Sequence, residues 1–92
     1  MISEQDKAAI IDIARRYNVG KILLFGSSAD PKREAKDIDL AVEGIVPEKF
    51  FSFYGELIFA LSKPVDLIDL SSDTKFNRLV YRDGIRLYAK SA

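Results

Sequence analysis

Gly26-Ser27, a gap of nine residues, Asp37-Ile38-Asp39 and, well downstream, Asp66 are the residues whose types and spacing could do chemistry. An Asp-x-Asp pair is ordinarily a solvated strand face, but on a half-buried strand its two carboxylates project in parallel from the pleat. Two unpaired charges at the rim of a core are costly to keep there. A hard, oxygen-liganded ion such as Mg²⁺ meets that cost. A Gly-Ser pair at a strand end is ordinarily a turn and helix cap. It also offers backbone N–H groups and a hydroxyl to a phosphate. Carboxylates for a hard cation and a loop for a phosphate are therefore the chemistry on offer.

Composition narrows the alternatives. The 92 residues include no His, no Cys and no Trp, which excludes zinc ribbons, disulfide scaffolds, cysteine hydrolases and Ser-His-Asp arrangements. Any reaction must use carboxylates, hydroxyls, Lys, Arg or a hard metal. The 14 basic side chains are balanced by 14 acidic ones, so direct nucleic-acid binding, which draws on a basic excess, is not expected. The opening Met1-Ile2-Ser3-Glu4-Gln5-Asp6 is acidic, and no apolar run approaches the ~20 residues of a membrane span. The expected setting is the cytoplasm, with no membrane partner. A chain of this length forms a single domain, 1–92, that buries roughly 60–65% of its unfolded surface, so stability borrowed from a partner is plausible on size alone.

The elements that must position these residues follow from pattern. Ser3, Asp6 and the helical spacing of Ala9, Ile10, Ile13 and Ala14 predict a capped helix over 4–17. Lys21 to Phe25 reads as a short buried strand, and 27–36 as a polar loop with room for a helical turn opened by a Ser cap. As a strand, 37–42 places Asp37, Asp39 and Ala41 on one face and Ile38, Leu40 and Val42 on the other. A helix over 50–61 follows Pro47-Glu48-Lys49. Val65 to Leu70 is a further strand, Ser72-Asp73 caps a helix over about 73–82, and 85–89 is the last strand after Asp83-Gly84. Alternation along the third strand puts Asp69 on the face opposite Asp66, which makes Asp66 the better partner for the pair.

Gly26-Ser27, Asp37-Ile38-Asp39-Leu40 and Val65-Asp66-Leu67-Ile68, in this order and spacing, resemble the signature of the DNA polymerase beta-like nucleotidyltransferase superfamily. The short chain, the run Asp37 to Val42 and the ending Asp83-Gly84-Ile85-Arg86-Leu87-Tyr88 are similar to the minimal nucleotidyltransferases, the MNT group, over about residues 20–90. The resemblance implies an α/β (α+β) domain: a small mixed sheet with helices mainly on one face and the carboxylates at one exposed edge. It implies that Gly26 and Ser27 hold a nucleoside triphosphate, that Asp37 and Asp39 ligate two Mg²⁺ ions, and that Asp66 completes the catalytic and metal site near the attacking hydroxyl. It also implies transfer of AMP from ATP to a hydroxyl, with a Tyr of a cognate helical HEPN toxin as acceptor, by a chain that serves as its antitoxin.

One departure opens an alternative. Many minimal members carry Arg directly after Gly-Ser, where this chain has Ser28, Ala29, Asp30 and Pro31, and Ser cannot replace a bidentate guanidinium. Lys32, Arg33 or Lys36 could supply the charge. Failing that, the chain is a weak or inactive enzyme that neutralises its partner by binding alone. The 50–61 helix bears aromatics on more than one side. Either Phe51 and Tyr54 are half-exposed core neighbours, or they belong to a patch for homodimerisation or for docking a helical partner.

Overall fold

A computed structural model describes residues 2–91. Helix α1 spans Glu4–Arg16, with the Ser3 hydroxyl accepting from the Asp6 N–H at 3.1 Å. Acidic residues in its first turn and Arg15 and Arg16 in its last complement the helix dipole. Asp6 does more than complete this turn. Its carboxylate is buried and accepts from the Ser62 backbone N–H at 3.1 Å and the Ser62 hydroxyl at 2.5 Å, tying α1 to a distant loop.

Strand β1 (Lys21–Leu24) leads into a 3₁₀ turn, Gly26–Ala29, and strand β2 is Ile38–Glu43. That turn departs from the sequence expectation, because no side chain caps its start. A second 3₁₀ turn, Pro47–Lys49, feeds α2 (Phe50–Ala60), followed by β3 (Val65–Asp69), α3 (Lys75–Asp83) and β4 (Ile85–Ala89). Thr74 caps α3, its hydroxyl accepting from the Asn77 N–H at 3.0 Å, in place of the expected Ser72-Asp73. Asp73 instead pairs with Arg78 at the surface.

The four strands form one mixed sheet in the order β3-β2-β1-β4, with β2 and β3 parallel and the other pairs antiparallel. Parallel neighbours need a crossover, and α2 makes it. Alternation sorts the side chains. Ile22, Leu24, Ile38, Leu40, Val42 and Leu67 meet Ile10, Ile13 and Ala14 of α1 and Phe53 and Leu57 of α2 in the main core. On the opposite face a smaller cluster joins Leu23, Ala41 and Leu70 to Val80 of α3. Two helices therefore cover one face, and one covers part of the other.

The aromatics of α2 divide. Phe53 is fully buried, edge-on to Tyr17 at 5.3 Å between ring centroids. The Tyr54 hydroxyl donates to the Val65 carbonyl at 3.0 Å, so this ring belongs to the domain's own packing. Phe51 stays 82% exposed and is joined at the surface by Ile58 and by Phe59, 92% exposed. The exposed set is thus Phe51, Ile58 and Phe59 rather than Phe51 and Tyr54. Among the described residues, no helix is long and apolar enough to cross a membrane.

Candidate active site

Asp39 is the second residue of β2, and its phase turns it to the face that α3 only partly covers. It is half-buried, whereas Asp37, one residue before the strand, is exposed. The expected strand thus starts one residue later than Asp37, and the two acids differ in burial. Parallel pairing sets Asp66 of β3 directly opposite Asp39. Aligned residues on adjacent strands lie about 5 Å apart and share a face. Burial, then the charges of Asp66 and Asp37, hold the Asp39 carboxyl above the usual carboxylate range. Asp39 therefore feels both of the other acids.

Asp69 does not join them. It pairs in register with Val42, three residues along the strand from Asp66 and so roughly 10 Å away. Its carboxylate accepts from the Ser71 N–H at 2.9 Å, and its carbonyl from the Asn77 amide at 3.3 Å. It closes the strand end.

The turn after β1 is stitched to Asp39. Phe25 N–H donates to the Asp39 carbonyl at 3.0 Å, extending the β1–β2 ladder by one bond. The buried Ser28 hydroxyl donates to the Phe25 carbonyl at 2.7 Å and accepts from the Asp39 N–H at 3.1 Å. Gly26 has φ +63°, and a Cβ there would stand 2.5 Å from Asp39 Oδ2. The positive φ favours glycine, and a side chain here would push on the Asp39 carboxylate. Ser27 follows it, half-buried within the turn.

Ser28 is the functional-site residue that reading the sequence for a missing Arg overlooks. A hydroxyl three residues after a strand end can bond back to the strand's last carbonyls, and Phe25-Gly26-Ser27-Ser28 has that spacing. In the rest of the loop, Asp30 Oδ1 accepts from the Lys32 N–H at 2.9 Å, so this acid is engaged in its own turn. Lys32, Arg33 and Lys36 are exposed. Lys63 reaches across from the α2–β3 connection, its ammonium donating to the Ala35 carbonyl at 2.7 Å, two residues before Asp37.

Among the described residues, no three His, Cys, Asp or Glu side chains already stand in an ion-holding arrangement. The donor set nevertheless fits a hard cation. The three acids offer only oxygen, Asp39 carries an unfavourable charge that a cation would relieve, and Mg²⁺ takes few protein carboxylates, completing its shell with water and phosphate oxygens.

The family model for "Polymerase beta, Nucleotidyltransferase" matches residues 8–92. No curated protein matches the sequence significantly. Among solved structures, a toxin–antitoxin complex with AMP-PNP matches with a TM-score of 0.74 at 28% identity, over 91% of this chain and 73% of that one. A complex of MntA with HepT gives 0.71 at 26% identity, over 96% and 74%. The tri-AMPylated Shewanella oneidensis HEPN toxin in complex with an MNT antitoxin gives 0.70 at 28% identity, over 92% and 71%. The structural neighbours are thus minimal nucleotidyltransferase antitoxins paired with HEPN toxins. Matched along nearly its whole length, with the mixed sheet and helix order of those neighbours, this chain belongs to the polymerase beta nucleotidyltransferase family.

Proposed function

We propose that this protein is a Mg²⁺-dependent nucleotidyltransferase that moves AMP from ATP onto a hydroxyl, that of a Tyr in a cognate HEPN toxin, and thereby acts as antitoxin. The observation that carries this reading is the seat of Asp39: half-buried, opposite Asp66, and packed against Gly26, whose positive φ favours glycine and where a Cβ would crowd the carboxylate. Neighbours that hold AMP-PNP or sit with an AMPylated toxin supply the donor and the acceptor class.

Asp37, Asp39 and Asp66 would hold the metal, as two ions shared among three carboxylates. When bound, Mg²⁺ neutralises phosphate charge and stabilises the entering and leaving oxygens of an in-line displacement. Gly26, with nothing larger than hydrogen in the way, would let the triphosphate approach the backbone closely, and Ser27 would offer it a hydroxyl and an N–H. The acceptor oxygen bonds to the α-phosphorus, the bond from that phosphorus to the bridging oxygen breaks, and pyrophosphate leaves. Asp66, exposed on β3, would take the proton of the incoming hydroxyl or pass it to solvent. Ser28 acts by positioning, since it holds the Asp39 backbone to the turn.

A second reading has its own support. The turn carries Ser28 and Ala29 where a guanidinium would grip phosphate, and no Arg of 27–32 replaces it. On this reading the chain neutralises its partner by binding alone. One experiment separates the two: incubation with each labelled nucleoside triphosphate and Mg²⁺, with and without the protein encoded beside it, against an Asp37→Asn/Asp39→Asn control. Label on the partner that requires the intact acids establishes transfer from the identified donor. Tight partner binding with no label establishes blocking instead.

A further inference from the structure

Asp37 stands outside the ladder that fixes its two companions. Asp39 and Asp66 are paired within the sheet, whereas Asp37 precedes β2 by one residue and lies exposed at the end of the 30–37 loop. The first half of that loop closes on itself, with the Asp30 N–H donating to the Ser27 carbonyl and the Arg33 N–H to the Asp30 carbonyl, both at 3.2 Å. The second half is held from elsewhere. Among the described residues, the hydrogen bond that ties 34–37 to the rest of the domain is the one from the Lys63 ammonium to the Ala35 carbonyl, at 2.7 Å.

Lys63 can serve as a fixed point because the connection from α2 to β3 is anchored on both sides of it. Ser62 donates its N–H and its hydroxyl to the buried Asp6 carboxylate of α1. The Pro64 carbonyl accepts from the Ile38 N–H at 2.8 Å. Two consecutive residues, Lys63 and Pro64, therefore bind the chain just before and just after Asp37. The Lys63 bond is charge-assisted and so stronger than a neutral one, and the half-buried stem carries the ammonium across to a carbonyl whose own residue is buried. A short span held at both ends has little freedom to turn its carboxylate away from Asp39, and the charge of Asp37 does reach Asp39.

We propose that Lys63 is a positioning residue of the metal site: by holding the Ala35 carbonyl it fixes Asp37 beside Asp39 and Asp66, ready for a divalent cation. The inference rests on the metal-dependent reading above and adds to it a residue that acts through the backbone of a metal ligand. Partners that orient ligands in this way change metal affinity by about 10–100-fold when removed.

The test is binding of Mn²⁺, which takes the same oxygen ligands as Mg²⁺, read from the EPR signal of the free ion. The full chain is compared as wild type, Lys63→Met, Lys63→Arg, Asp37→Asn and Lys63→Met/Asp37→Asn, with unfolding curves giving the folded fraction of each. Lys63→Met keeps the stem and removes the donor, and it should weaken Mn²⁺ binding by about tenfold or more. Lys63→Arg keeps a donor and should bind more tightly than the Met variant. In the Asp37→Asn background the Lys63→Met change should cost little more, because the residue it positions is already gone. Affinity unchanged in Lys63→Met, or no better in Lys63→Arg than in Lys63→Met, overturns the positioning role while the metal reading stands. A full second loss in the double variant overturns it too, as an effect that bypasses Asp37. A wild-type protein that binds no Mn²⁺ overturns the metal reading, and the positioning role with it.

Discussion

Beneath α1 and α2, five side chains of β1 and β2 (Ile22, Leu24, Ile38, Leu40 and Val42) are almost wholly removed from water and locked against Phe53 and Leu57. Across the same two strands, the other face buries only Leu23 and Ala41 with Leu70 and Val80, and beside them stand Asp39, Asp66 and the half-exposed Phe76 and Leu79. The contrast separates two roles. One face contributes most of the apolar burial that holds a 92-residue chain together. The other can therefore carry repelling carboxylates and uncovered aromatics, features that cost stability.

Substitutions on the two faces should therefore fail in different ways. The largest effect is expected from Phe53→Ala in the main core. Removing a fully buried phenyl ring costs about 3–5 kcal/mol, a large share of the roughly 5–15 kcal/mol that holds a domain folded, and urea or thermal unfolding would register it. A loss below ~1 kcal/mol would show that the α1–α2 face is not the main source of stability.

Ser28→Ala tests the seam between the faces. It leaves the Phe25 carbonyl and the Asp39 N–H without their shared partner, a cost of about 1–3 kcal/mol. Transfer should fall further than this destabilisation explains, because Asp39 loses its anchor. Restoration of both stability and transfer by Ser28→Thr, measured beside the Ala variant, would show that the hydroxyl is what matters. A stability loss with transfer per folded molecule unchanged would reduce Ser28 to packing.

The smallest stability effect has the opposite sign. Because Asp39 is held above its ordinary value by burial and by Asp66 and Asp37, ionising it opposes folding. The penalty is absent below the ordinary value of 3.8, grows as the pH rises toward the raised value and is complete above it. Asp39→Asn should thus melt a few degrees higher than the wild type at pH 7 without metal, with the gap closing in acid. Added Mg²⁺ should raise the wild-type Tm and not that of the variant. Transfer in this variant should fall by about 10²-fold or more. A variant that melts lower than the wild type at pH 7 would mean that the three acids do not repel as described.

Much of this architecture was legible in the chain. The period of Ile10, Ile13 and Ala14 marked α1, alternation from Ile38 to Val42 marked β2, and the order Gly26-Ser27, Asp37, Asp39, Asp66 pointed to the family that the match over residues 8–92 shows. What failed to show was short-range in sequence but depended on neighbours in space. Ser72-Asp73 and Thr74 are all capping residues, and only the folded chain shows that Thr74 is the one that caps. Tyr54 and Phe51 look alike in a helical pattern until β3 places the Val65 carbonyl under one of them. Asp6 reads as part of a helix start, yet its carboxylate is spent on Ser62, 56 residues away.

Local pattern settles which residues are apolar, which are acidic and which element each belongs to, because those properties depend on period and side-chain type alone. Register, by contrast, belongs to the folded sheet. Alternation already favoured Asp66 over Asp69, but that Asp66 stands directly opposite Asp39, that Gly26 lies against its carboxylate, and that α3 leaves a cavity beside the turn all follow from how β3, β2 and β1 slide into alignment. A shift of one residue would turn every side chain of a strand to the opposite face, and it is packing against α1 and α2 across the sheet that forbids it.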